Sequence, residues 1–171
     1  TDSAGDKPIP FIKAFNQPSV SFFQALDREI GKDTLQYWID SIGYGNKKIG
    51  GTVDSFWLNN TLKISPDEQL GFMSKLYFDQ LPFQKYAQQI VRNAMLQEDN
   101  TLYKLSYATG AGLDENNNAF GWVTGWVEEN RHVYFFVTLV RAGNNTTGIT
   151  QTAVDISRNI LKELGFLKGQ K

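Results

Sequence analysis

Apolar residues between Thr101 and Ala142 fall in three runs, which predict strands over Leu102–Gly110, Phe120–Glu128 and His132–Ala142. The third run reads VYFFVTLV without alternation. A strand with one wet face would alternate, so this run predicts a strand covered on both faces, in the middle of a sheet. The links are short. Asp114–Asn118 is turn chemistry, and Glu129–Asn130 joins the second and third strands as a hairpin does.

Before these strands the pattern has helical spacing. Phe22, Leu26 and Ile30 recur at four-residue steps from Ser19, and Gly31 ends that helix. A second helix is expected over Asp33–Ile42, stopped by Gly43-Tyr44-Gly45-Asn46. A long connection follows over 46–64, with an apolar knot at Phe56-Trp57-Leu58. Connections of that length in a compact domain tend to be functional. Ser65-Pro66-Asp67-Glu68 has the residues of a capping box, and Leu70, Met73 and Leu76 follow as one buried face. Pro82 is expected to open a helix with Ala87, Ile90, Val91 and Ala94 inward, running to Asp99-Asn100. The last helix is expected to bury Ile149, Ala153, Ile156, Ile160 and Leu164 as one stripe, with Gly165 as its stop. Residues 1–17 read as loop. Helices, then an antiparallel sheet, then a helix predict a mixed α/β (α+β) fold in one domain over 1–171.

Composition narrows the classes. The 171 residues hold 41% apolar and 20% charged side chains, a globular balance. A net charge of −1 gives no general attraction to nucleic acid or anionic membrane. There is no cysteine, hence no disulfide framework or thiolate metal site. No apolar run reaches the roughly 18 residues of a membrane helix, and the first residues lack signal-peptide character.

Four landmarks then stand in a telling order: Tyr44-Gly45-Asn46; Trp57 to Ser65, WLNNTLKIS; Ala108-Thr109-Gly110; and Gly121 to Trp126, GWVTGW. As an ordered set, covering the chain from about Phe11 onward, they resemble class D serine β-lactamases and the related penicillin-sensor domains. The resemblance implies a serine β-lactamase/transpeptidase-like fold, an antiparallel sheet with helices on both faces. It also implies a serine nucleophile on an S-x-x-K helix, whose carboxylated lysine is the general base. An S-x-V motif lines the cleft, a K-T-G strand edge binds the substrate carboxylate, and a tryptophan holds the carboxylated lysine.

The chain departs from that pattern at several points. No serine has lysine three positions later, so the nucleophile and its base are expected to be missing. The family places them upstream of residue 1, with two strands and a helix. The S-x-V position falls on Pro18-Ser19-Val20, which puts Pro18, a residue with no hydroxyl, where the serine belongs. The K-T-G position reads Ala108-Thr109-Gly110, so the ammonium is replaced while Thr109, Gly110 and the Ala111 amide remain as substrate-binding candidates. An arginine often found near the start of the last helix is matched to Ala153. Trp57 is present without its lysine partner.

Plainer readings compete. Trp57 reads first as a core anchor. Tyr44-Gly45-Asn46 reads as a helix end, Thr109-Gly110 as a strand end or a substrate edge, and Trp122 with Trp126 as core on one strand face. His132 reads as an exposed residue beside a turn. Ser74-Lys75 reads as a solvated pair. Glu128-Glu129 and Asp114-Glu115 read as hairpin-tip charges. No metal-ligand cluster and no cofactor are expected.

The functional expectation is a penicillin-recognising, class D β-lactamase-like domain that is inactive as this chain. It would bind a β-lactam or peptidoglycan-like ligand weakly around Thr109–Ala111. The alternatives are the C-terminal part of a working β-lactamase and a non-catalytic assembly module. The sheet bears on the last of these. In the family the strand over 132–142 pairs with an N-terminal strand, so its edge is expected to be covered by another copy, a swapped segment or an N-terminal fragment. A periplasmic or extracellular setting is implied by the resemblance alone.

Overall fold

The structure is a computed structural model that describes residues 11–16, 19–143 and 147–169. Pro18 lies outside these residues. A short helix, α1 (Phe11–Asn16), stands where loop was expected and buries Ala14. Helix α2 (Val20–Ile30) starts at Ser19, whose Oγ accepts from the Phe22 N–H at 3.3 Å. Gly31 hands the chain directly to α3 (Lys32–Ile42), which ends at Gly43 in the left-handed region. After the long connection comes α4 (Pro66–Tyr77). Its predicted capping box is formed, with the Ser65 side chain on the Glu68 N–H and the Glu68 carboxylate on the Ser65 N–H.

The next helix, α5 (Lys85–Met95), is shorter than expected. It gives way to a strand, β1 (Leu96–Asp99), that the mostly polar sequence Leu96-Gln97-Glu98-Asp99 did not announce. Ala87 is exposed, and the inward residue beside it is Gln88, whose Nε2 donates to the carbonyls of Leu81 and Phe83 at 3.1 and 2.9 Å. The three predicted strands are β2 (Tyr103–Leu113), β3 (Ala119–Glu129) and β4 (His132–Ala142). They form one antiparallel sheet in the order β1-β2-β3-β4.

Helices cover both faces. On one, α4 and α5 pack Met73, Leu76 and Met95 against Trp126. On the other, α6 (Ile149–Glu163) packs Leu161 against Leu105 and Val127, and Ala153 and Val154 against Val123. Gly121 allows α6 to approach this closely, because a Cβ there would lie 2.8 Å from the Ile149 carbonyl oxygen.

Two expectations are corrected. The strand deep in the sheet is β3, while β4 is its edge among the described residues, half-buried from Val133 to Val140. An unbroken apolar run reports cover on both faces, which α4 and α6 supply, and says nothing about what pairs laterally. On α6 the buried residues are Ile149, Ala153, Val154, Ser157 and Leu161, whereas Ile156, Ile160 and Leu164 are exposed. The expected stripe holds at Ile149 and Ala153, and beyond them the sheet selected Val154, Ser157 and Leu161.

Candidate ligand cleft

The long connection is held shut at its base. Asn46 donates its backbone N–H to the Lys63 carbonyl at 2.9 Å, and its Nδ2 donates to the Thr61 carbonyl at 2.8 Å. Its Oδ1 accepts from the N–H groups of Lys48 and Lys63. Gly45, with φ +51°, lets the two sides of this clasp meet, since a Cβ there would sit 2.0 Å from the Lys63 oxygen. Tyr44 donates its hydroxyl to Gln69 Oε1 at 2.9 Å. Tyr44-Gly45-Asn46 therefore does more than end α3: it closes a loop of the chain and fixes that loop to α4.

Inside the clasp, Ile49 and Phe56 pack on Ile39 of α3, with Trp57 at the margin of the cluster. Trp57 is also engaged by a polar partner. Its Nε1 donates to Asp27 Oδ2 on α2 at 2.7 Å. Partial burial pushes the Asp27 carboxyl above the usual carboxylate range, opposed by the indole hydrogen bond.

These side chains and the β2 edge enclose a cavity of about 610 Å³. It is lined by Val20, Phe23 and Asp27 from α2, by Tyr44 just after α3, by Trp57, Leu58 and Asn60 from the connection, and by β2 from Ala108 to Leu113. Trp122 and Thr124 of β3 form further lining. Strand β1 pairs with β2 only as far as Ser106, so Ala108–Leu113 have no strand on that side among the described residues. Thr109 is half-buried there, and Gly110 and Ala111 are exposed. Ala108 lies opposite Thr124 in the ladder, on the same sheet face. Thr124 Oγ1 is buried and has no hydrogen-bond partner among the described residues.

A second hollow of about 470 Å³ lies against α6, lined by Tyr107, Thr109, Thr150, Gln151, Asp155 and Arg158 among others. Ala153, matched from sequence to the family's arginine, is fully buried in the core instead. The α6 residues that line this hollow are Thr150, Gln151, Val154, Asp155 and Arg158.

The structure thus brings Val20, Trp57, Ala108, Thr109, Gly110 and Ala111 around one cavity. Ser19 is occupied as a helix cap. Trp126 is core, 2% exposed, while Trp122 on the same face lines the cavity. His132 is exposed, with Nδ1 2.9 Å from the Asn130 carbonyl oxygen. Among the described residues, no group of His, Asp and Glu is placed to hold a metal, and no helix is long and apolar enough to cross a membrane. Sequence reasoning missed Asp27, Gln69 and Thr124. Asp27 follows Leu26 in α2 with nothing in its local pattern to mark it, and only the position of Trp57 thirty residues later gives it a role.

What the cavity can do chemically follows from its lining. It offers apolar and aromatic walls, one carboxylate, two threonine hydroxyls, the Tyr44 hydroxyl, the amides of Asn60 and Gln69, and the main chain of β2. Its described lining holds no serine and no lysine.

Residues 1–163 match the family model described as penicillin binding protein transpeptidase domain. The chain is 35% identical over 154 residues to "Probable beta-lactamase YbxI" of Bacillus subtilis, covering 90% of this chain and 55% of that protein. Among solved structures, a class D β-lactamase from Nostoc superposes with a TM-score of 0.81 at 32% identity, over 94% of this chain and 70% of the other. The C-terminal domain of the Bacillus licheniformis BlaR penicillin-receptor superposes with a TM-score of 0.86 at 27% identity, over 97% and 69%. The chain thus spans little more than half the length of the curated relative.

Proposed function

The chain belongs to the penicillin-binding protein transpeptidase family, in its class D β-lactamase-like branch, and from that premise we propose that it recognises β-lactam or peptidoglycan-like ligands noncovalently and does not open the lactam ring. The lining of the 610 Å³ cavity carries this reading, because it includes no serine and no lysine among its described residues. Acyl transfer needs a nucleophile with a base in hydrogen-bond reach. None of the chain's serines is followed by lysine three positions on, and Ala108 stands at the K-T-G lysine position. The edge of β2 beyond Ser106, unpaired among the described residues, supports binding, since its main-chain groups suit an extended amide-rich ligand that adds as a strand. Without the ammonium at position 108, such binding is weak.

The test is a fluorescent penicillin label followed by a denaturing gel, together with nitrocefin hydrolysis, on this 171-residue chain. Neither label nor turnover is expected. Covalent labelling at any serine rejects the reading.

A second reading makes the chain the C-terminal part of a working β-lactamase, with S-x-x-K upstream of Thr1. The 55% coverage of the Bacillus subtilis relative favours it. Reading the coding sequence upstream of Thr1 decides: an S-x-x-K helix there replaces the first reading.

A third role, assembly, is supported by the edge of β4, which has no strand beside it among the described residues. An apolar edge with free backbone groups invites pairing, and a second copy or an N-terminal fragment would cover it. A periplasmic or extracellular setting is proposed with the family.

A further inference from the structure

We infer that the cavity between α2, the long connection and β2 selects ligands carrying a positively charged amine, held by the Asp27 carboxylate against the Trp57 ring. The inference rests on the reading of this cavity as the ligand site and adds the class of ligand. It comes from the charge of the lining. Among the described residues around the cavity, Asp27 carries the charge, and no lysine or arginine accompanies it. Arg28, the next residue, is engaged by Asp54 and does not line the cavity. Where an ammonium would favour an anionic ligand, Ala108 presents a methyl group.

The indole N–H of Trp57 donates to Asp27 Oδ2, which fixes the carboxylate at the cavity wall and leaves Oδ1 to accept from a ligand. Partial desolvation of Asp27 disfavours the bare anion, and an ammonium placed beside it offsets that cost. The same ammonium meets an aromatic wall at Trp57 and Phe23, a surface that attracts cations. The independent sign that a ligand is accommodated here is Thr124, 8% exposed, in the cavity lining and with its buried Oγ1 unpartnered. Buried hydroxyls ordinarily find a partner, and a ligand acceptor or donor reaching the sheet would supply one.

Ampicillin and benzylpenicillin form a matched pair, differing by one amino group on the side chain. Titration of the full chain with each, followed by the fluorescence of its tryptophans, is expected to give roughly tenfold tighter binding of ampicillin. That preference should fall as salt rises. In Asp27→Asn, which keeps an acceptor for Trp57, the preference for ampicillin over benzylpenicillin is expected to vanish. Measurable but equal affinities of the two penicillins for the wild-type chain, or a preference that survives Asp27→Asn, would overturn the inference, and the wild-type comparison requires no folded variant. Phenethylammonium, an amine without a lactam, separates the two readings. If it binds in an Asp27-dependent way and neither penicillin does, amine selection stands and β-lactam recognition falls. If none of the three binds, both fall.

Discussion

Asn46 and Lys63 hold each other from both sides of the long connection: the Asn46 N–H donates to the Lys63 carbonyl at 2.9 Å, and the Lys63 N–H donates to Asn46 Oδ1 at 3.1 Å. This clasp positions Trp57, and through Trp57 it ties the connection to Asp27 on α2. Asn46→Ala removes one acceptor and one donor, and should lower the unfolding free energy by about 1–3 kcal/mol. Gly45→Ala should cost more, above about 3 kcal/mol, because the backbone is left-handed and the new methyl would meet the Lys63 carbonyl. Urea unfolding of both variants checks the order; a Gly45→Ala chain as stable as the Asn46→Ala chain contradicts it.

Glu98 of β1 pairs with Arg158 of α6 and accepts from the Tyr103 hydroxyl at 2.6 Å. The Arg158 hydrogen bond holds the Glu98 carboxyl below its ordinary value of 4.5, against the opposing effect of burial. The unfolded chain then binds the proton more readily, so this pair contributes stability above the unfolded value. That contribution is lost as pH falls through the lower folded value. Melting temperatures of the wild-type chain and Glu98→Gln should differ at pH 7 and converge as the pH drops below about 4.5. A gap that stays constant into acid shows that the pair does not act this way.

Thr124 leaves a buried hydroxyl without a partner. Thr124→Val keeps the shape and removes the unmet polar group, so the variant should gain about 1 kcal/mol in the free chain. If a ligand uses that hydroxyl, the same variant binds it less tightly. Denaturant unfolding and ligand titration on one sample compare the two effects, and a loss of stability in Thr124→Val counts against an unpaired hydroxyl.

The edge of β4, without a neighbouring strand among the described residues, calls for a measurement of mass. Light scattering on the chain should report a species heavier than the monomer at 19.3 kDa. Thr138→Lys puts a charge on the half-buried edge strand and should shift the chain toward monomer. A wild-type chain that stays monomeric at high concentration removes the assembly proposal.

The sequence alone determined what is local. The capping box at Ser65 and Glu68, the stop at Gly43, the hairpin at Glu129–Asn130 and three of the four strands depend on neighbours a few residues away, and each was legible. The order of the four landmarks placed the chain in its family, and the pieces of the cavity at Trp57 and Ala108–Ala111 followed from that resemblance. The tertiary structure decided what depends on packing between distant segments. Strand β1 exists because Leu96 and the polar residues 97–99 find β2, a pairing that no periodicity signals. The phase of α6 was set by the sheet, which left Ile156 and Ile160 outside and put Ser157 inside. Asp27 became part of a site only when the connection brought Trp57 onto it, because a carboxylate gains its meaning from the groups around it, and those lie thirty residues away.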